Sequence, residues 1–97
     1  MTFTRRIKQL REQCQLSQRK VAEALDIDSA TYCKIERGER KAKREQIFVI
    51  AKLLNACKEE LLTLWLADHV IAMMADEKEI ADKVLEIAKE YLNKSKI

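Results

Sequence analysis

A chain of 97 residues with one glycine and no proline is long enough for a single compact domain and little more. Apolar residues at 47 % and charged ones at 36 % describe a folding polypeptide, and three cysteines without C-x-x-C spacing indicate neither a disulfide framework nor a zinc site. The net charge of +3 is uneven: residues 1–46 hold 12 Lys/Arg against 7 Asp/Glu, and residues 47–97 hold 7 against 9, so the first half suits an anionic partner.

The start, "MTFTRRIKQLREQ", has no apolar core of the signal-peptide kind. Apolar residues at Phe3, Ile7, Leu10 and Cys14 instead recur at helical spacing, with Arg5, Arg6, Lys8 and Arg11 on the outer faces. After a break at "QLSQ", Ser17 is a good N-cap for a second helix to about residue 25. A short turn, "DID", then offers Asp28 as the cap of a third helix, which runs from 29 to about 37 and stops at Gly38. Glycine takes positive φ without steric cost, so Gly38 is expected to cap that helix; Asp26 and Asn55 are the next most tolerant types at other ends, and Gln15 a poorer one. A fourth helix is expected over about 43–54, with Ile47, Ile50, Ala51 and Leu54 inward, and a fifth over about 58–75. "LLTLWLA" and "VIAMMA" in that fifth helix are interrupted by Asp68 and His69 and are too short for a membrane span, which leaves the cytoplasm as the expected compartment. Beyond it, Ile80, Val84, Ile87 and Tyr91 form a short heptad-like seam on a sixth helix. No period of two appears, so no sheet is expected.

The second and third helices, joined by three residues, have the proportions of a helix-turn-helix. The stretch "LSQRKVAEALDIDSATYCKIERGER" resembles the lambda-repressor-like family of Cro and Xre type nearly position by position. Ala22 is small where two helices must approach, Leu25, Ile27 and Ile35 fall at core positions, and "IERG" closes the third helix in the family's manner. The resemblance covers roughly residues 3–66. Gln15 and Asp26 stand where the family often has glycine, and Tyr32 where it usually has an aliphatic residue. It implies an all-α protein: a five-helix DNA-binding domain over residues 1–66, with an additional C-terminal helix in a 67–97 extension. By position it also implies that Gln18 contacts phosphate and buttresses the recognition helix, that Ser29, Ala30 and Lys34 face base edges, and that Thr31 and Arg37 reach phosphate. Residues 30, 34 and 37 share one helical face opposite Ile35, which agrees; the competing reading is an ordinary solvated face. The matching Glu36 pairs with Arg11 within the domain, against the alternative of accepting from cytosine N4.

A further signal stands without the family. Arg19 and Lys20 open the second helix, and Lys43 and Arg44 open the fourth, where the dipole is already positive. An anion in front of them would justify that placement, and with Arg40 and Lys41 they read as a phosphate-gripping rim rather than a solubilising loop. His69 has no catalytic partner at a telling spacing, and Cys33 is more simply a bland thiol than a redox sensor. No phosphate-loop, zincin or nucleophile-elbow motif occurs, so no enzyme, cofactor, metal or small-molecule ligand is expected.

The fifth helix carries apolar residues around most of its circumference, which calls for burial on more than one side. A second chain covering Trp65, Ile71 and Met74 together with the seam Ile80, Val84, Ile87 and Tyr91 is the expected solution; the sixth helix folding back is the alternative. The expected function is a bacterial, sequence-specific regulator of transcription that binds double-stranded DNA as a homodimer on an inverted repeat. "KIERGERKAKREQ" and "EELLTLWLADHV" are further similar to small regulators in the role of restriction–modification controllers, implying control of a DNA methyltransferase or restriction–modification locus. An antitoxin, a phage-type repressor, or an adaptor using the same scaffold for protein contacts are the alternatives.

Overall fold

A computed structural model describes residues 2–94, and among them six α-helices and no strand. They are α1 (Phe3–Gln13), α2 (Gln18–Leu25), α3 (Ser29–Glu36), α4 (Arg44–Leu53), α5 (Lys58–Met74) and α6 (Ala81–Lys94). None is long and apolar enough to cross a membrane.

The first three helices start on side-chain caps. Thr2 Oγ1 accepts from the Arg5 N–H at 3.3 Å, Ser17 Oγ from the Lys20 N–H at 3.1 Å, and Asp28 Oδ1 from the Thr31 N–H at 2.7 Å. Four helices then end in the same way. Gln15, Asp26, Gly38 and Asn55 all adopt positive φ, between 52° and 81°. The N–H of each reaches back three residues, and the next N–H reaches back five: Gln15 to Glu12 and Leu16 to Arg11, Asp26 to Glu23 and Ile27 to Ala22. Gly38 to Ile35 with Glu39 to Lys34, and Asn55 to Lys52 with Ala56 to Ala51, complete the set. This paired bonding satisfies carbonyls that a helix end otherwise leaves open. A Cβ on Gly38 would meet only Thr4 Cγ2 at 4.0 Å, so its φ of +81° is what calls for glycine there.

The residue following each left-handed position explains the packing. Leu16, Ile27 and Ala56 turn back against the core, each sealing the end of its helix with an apolar contact. Glu39 is the exception and is exposed. The core itself gathers Phe3, Ile7 and Leu10 from α1, Val21 and Ala22 from α2, Tyr32 and Ile35 from α3, and Ile47, Ile50 and Ala51 from α4, with Leu54 and Leu61. α2 packs on α3 and α4, while α5 closes the domain against α1 and α4. Asp68 Oδ2 accepts from the Phe3 N–H at 3.2 Å, tying the middle of α5 to the start of α1. Nδ1 of His69 lies 2.7 Å from the Trp65 carbonyl one turn back, and its ring meets the indole edge-on. The polar break in α5 is thus used within the domain.

α6 stands apart. None of its residues is buried.

Candidate nucleic-acid interface

α3 has two faces in opposite environments. Tyr32, Ile35 and Glu36 are buried, whereas Ser29, Ala30 and Lys34 are exposed and Thr31 is half-buried. Arg37, the C-cap residue, is exposed on the same side as Ala30 and Lys34. Two small side chains near the N-terminal end let such a helix approach a base edge closely. A lysine one turn further on can donate to guanine O6 or N7.

What holds that face in place is a hydrogen-bonded network under it. Arg11 donates from Nε to Glu36 Oε2 and from Nη2 to Oε1, both at 2.9 Å, and from Nη1 to the Leu16 carbonyl at 2.8 Å. Gln18 Nε2 donates to the same Oε1 at 3.3 Å, and Gln18 Oε1 accepts from the Cys33 thiol at 2.9 Å. One carboxylate therefore links α1, α2 and α3. The Glu36 side chain is 2 % exposed and that of Arg11 12 %. Burial alone would push the Glu36 carboxyl up, but the Arg11 guanidinium, helped by its neighbours, outweighs it and holds the group below the ordinary 4.5. Burial and that carboxylate push the Tyr32 phenol far above its ordinary value, and the Tyr32 hydroxyl is buried beside Glu36 with no well-formed hydrogen bond among the described residues. Gln18 uses one of its two amide hydrogens in this network, which leaves the other for an outside acceptor.

Around this face lie the cations. Arg19, Lys20, Arg40, Lys41, Lys43 and Arg44 are all exposed. Arg19 pairs with Glu23 at 3.4 Å along α2, and Arg37 pairs with Glu39. Lys43 is the N-cap residue of α4 and makes no side-chain cap; Gln46 Oε1 instead accepts from its N–H at 2.8 Å. The lysine head is thus left in solvent beside a positive helix end, where an anionic oxygen would be stabilised.

The residues expected at a dimer contact divide into two sets. Ile71, Ile80, Val84, Ile87 and Tyr91 are exposed, and Met74 is half-buried. Trp65 is turned inward instead: it packs on the core, and its indole N–H donates to the Ala42 carbonyl at 2.9 Å. An indole aimed at a buried carbonyl serves its own domain first. Two features were missed in reading the sequence. Phe48, Val49 and Leu53 are exposed on α4, with Lys58 Nζ 6.0 Å from the Phe48 ring centroid; their places outside the inward repeat of α4 were the available signal. The bond from the Cys33 thiol to Gln18 had no signal in spacing at all.

A family model described as a helix-turn-helix domain matches residues 2–65. No curated protein and no solved structure matches the chain.

Proposed function

The chain belongs to the helix-turn-helix domain family, and from that premise we propose that it is a Cro/Xre-type transcriptional regulator that binds an inverted-repeat operator as a homodimer. The observation that carries this reading is the two-sidedness of α3. Its inner face is fixed by Ile35, Tyr32 and the Arg11–Glu36 pair, and its outer face offers Ser29, Ala30 and Lys34. Ser29, Ala30 and Lys34 read base edges, while Gln18, Thr31 and Arg37 hold flanking phosphates. Arg19, Arg40, Lys41, Lys43 and Arg44 supply the wider electrostatic grip. A single helix-turn-helix reads too few base pairs to select a site in a genome, so two copies share the work, their half-sites about one helical turn or 34 Å apart. The exposed apolar residues of α5 and α6 support self-association. By its similarity to controller-type regulators, the regulated locus is one encoding a DNA methyltransferase or a restriction–modification pair.

Selection of bound duplexes from a random pool tests this directly. An inverted repeat bound by two chains supports the reading, and its recurrence upstream of the chain's own gene would identify the locus. Absence of duplex binding at moderate salt would replace it with the adaptor reading. Five base pairs inserted between half-sites turn one half onto the opposite face of the DNA and should abolish tight binding.

A further inference from the structure

The open face of α6 has an internal order. The Ile80 carbonyl accepts from the Val84 N–H at 3.0 Å, so Ile80 stands at the start of the helix, and Val84, Ile87 and Tyr91 follow at steps of 4, 3 and 4. All four side chains are exposed, Ile87 by 57 %. At about 100° per residue they fall within a strip roughly 60° wide. Lys83 and Glu90 lie together along one edge of that strip, and Ala81 and Ala88 along the other. Ala81 and Leu85 close a shallow groove with Val70, Ile71 and Met74 of α5, so α5 lies on the alanine side and the Lys83–Glu90 edge faces away from the domain.

The spacing 4, 3, 4 reads the same in both directions. Aligned antiparallel with itself, the strip sets Ile80 against Tyr91 and Val84 against Ile87, and a two-fold axis repeats each layer. The same alignment sets Lys83 of one chain against Glu90 of the other, twice. A parallel alignment would place Lys83 beside Ala88 and give it no opposite charge. Within one chain and among the described residues, Glu90 pairs with Lys94, at 3.3 Å and with both side chains exposed, a bond weak enough to exchange for a new partner.

We infer that α6 pairs antiparallel with α6 of a second copy of this chain, through Ile80–Tyr91 and Val84–Ile87 layers flanked by reciprocal Lys83–Glu90 pairs. This assignment rests on the dimeric reading above and specifies its geometry. A helix of 14 residues is about 21 Å long, so the contact makes a weak, concentration-dependent dimer whose strength is sensitive to two charge pairs.

The test uses the full chain and three variants: Lys83→Glu, Glu90→Lys, and the two combined. Each single change turns two attractive pairs into two repulsive ones and should weaken self-association about tenfold in sedimentation equilibrium. The combined variant should recover the unmodified affinity. Mixing the two single variants should give heterodimers in preference to either homodimer, read by native mass spectrometry. Circular dichroism that matches the unmodified chain shows that folding is intact, because neither residue touches the core. A combined variant as weak as the singles, or a mixture without preference, overturns the antiparallel pairing. So do single variants that associate normally. An unmodified chain that stays monomeric at tens of micromolar would overturn the dimeric regulator as well, whereas a firm dimer indifferent to these charges would overturn only the role of α6.

Discussion

Replacing Glu36 with alanine should destabilise the domain far more than any exposed substitution. The carboxylate is 2 % exposed and accepts two hydrogen bonds from Arg11 at 2.9 Å and one from Gln18 at 3.3 Å. Its removal leaves a guanidinium that is only 12 % exposed with the Leu16 carbonyl as its one remaining acceptor among the described residues. Breaking a buried pair from one side costs about 3–5 kcal/mol, and the slight exposure of Arg11 places the expected loss near the lower end, about 3 kcal/mol. For a domain of this size that lowers Tm by about 12–24 °C, measurable by circular dichroism without DNA. The pH dependence gives an independent check. The folded-state carboxyl titrates below the ordinary 4.5, so its contribution is complete above about that pH and is lost as pH falls through the lowered value. Wild type and Glu36→Gln should therefore differ most near neutrality and converge in acid. Arg11→Met with Glu36→Leu should cost much less than the two single changes added together, since no charge is stranded. Additive losses, or unchanged stability with lost DNA binding, would refute the structural role and make Glu36 a base reader.

The other expectations separate base reading from phosphate contact, and strain from packing. Lys34→Ala should cost roughly 1–3 kcal/mol on the best site and flatten preference at one base pair per half-site; equal weakening on every sequence would demote Lys34 to a phosphate contact. Lys43→Ala should behave in that second way, reducing the slope of log affinity against log salt by about 1, and an unchanged slope would remove it from the rim. Gln15 holds a φ of 57° that glycine adopts freely, so Gln15→Gly should raise stability by about 1 kcal/mol in urea unfolding. A loss would mean that the Gln15 side chain stabilises the turn. Tyr32→Phe removes a buried hydroxyl that makes no well-formed hydrogen bond among the described residues, so stability should hold or rise by about 1 kcal/mol; a drop of that size would show the phenol donating to Glu36.

The helical part of this fold was legible because its punctuation is local. Ser17 and Asp28 cap the helices they precede, and Asp26, Gly38 and Asn55 are residue types that tolerate a left-handed backbone. Gln15 is the instructive case. Its side chain is no help to positive φ, yet the turn forms because Leu16 after it finds the core. The same logic makes Glu39 informative: of the four helices closed by a left-handed residue, α3 alone ends without an apolar seal, on the side where the cationic loop begins. Tertiary proximity left no such trace. The inward turn of Trp65 depends on the Ala42 carbonyl, 23 residues away, and the interior position of Tyr32 depends on how the helices packed on α3, α1 and α2, are arranged around it. A thiol bonded to Gln18 is likewise a product of how α2 and α3 cross, which no periodicity encodes.

That crossing connects the buried chemistry to the exposed face. Basic side chains and a helix meant for an anionic partner leave little place for an acid, and Glu36 is accommodated by being turned under α3 and neutralised from α1. An apolar pair of similar volume can hold such a domain together with little loss of stability. The ion pair differs in having direction. Two parallel bonds to Arg11 fix the rotation of α3 about its axis, and the bond from Gln18 fixes α2 against the same carboxylate. Rotation of α3 by one residue would carry Lys34 about 100° away from the face it shares with Ala30 and strand the carboxylate. In the regulator reading, the phosphate contacts of Gln18 and the base contacts of Lys34 then belong to one rigid frame. Register set by the backbone is transmitted without slack to the base edges.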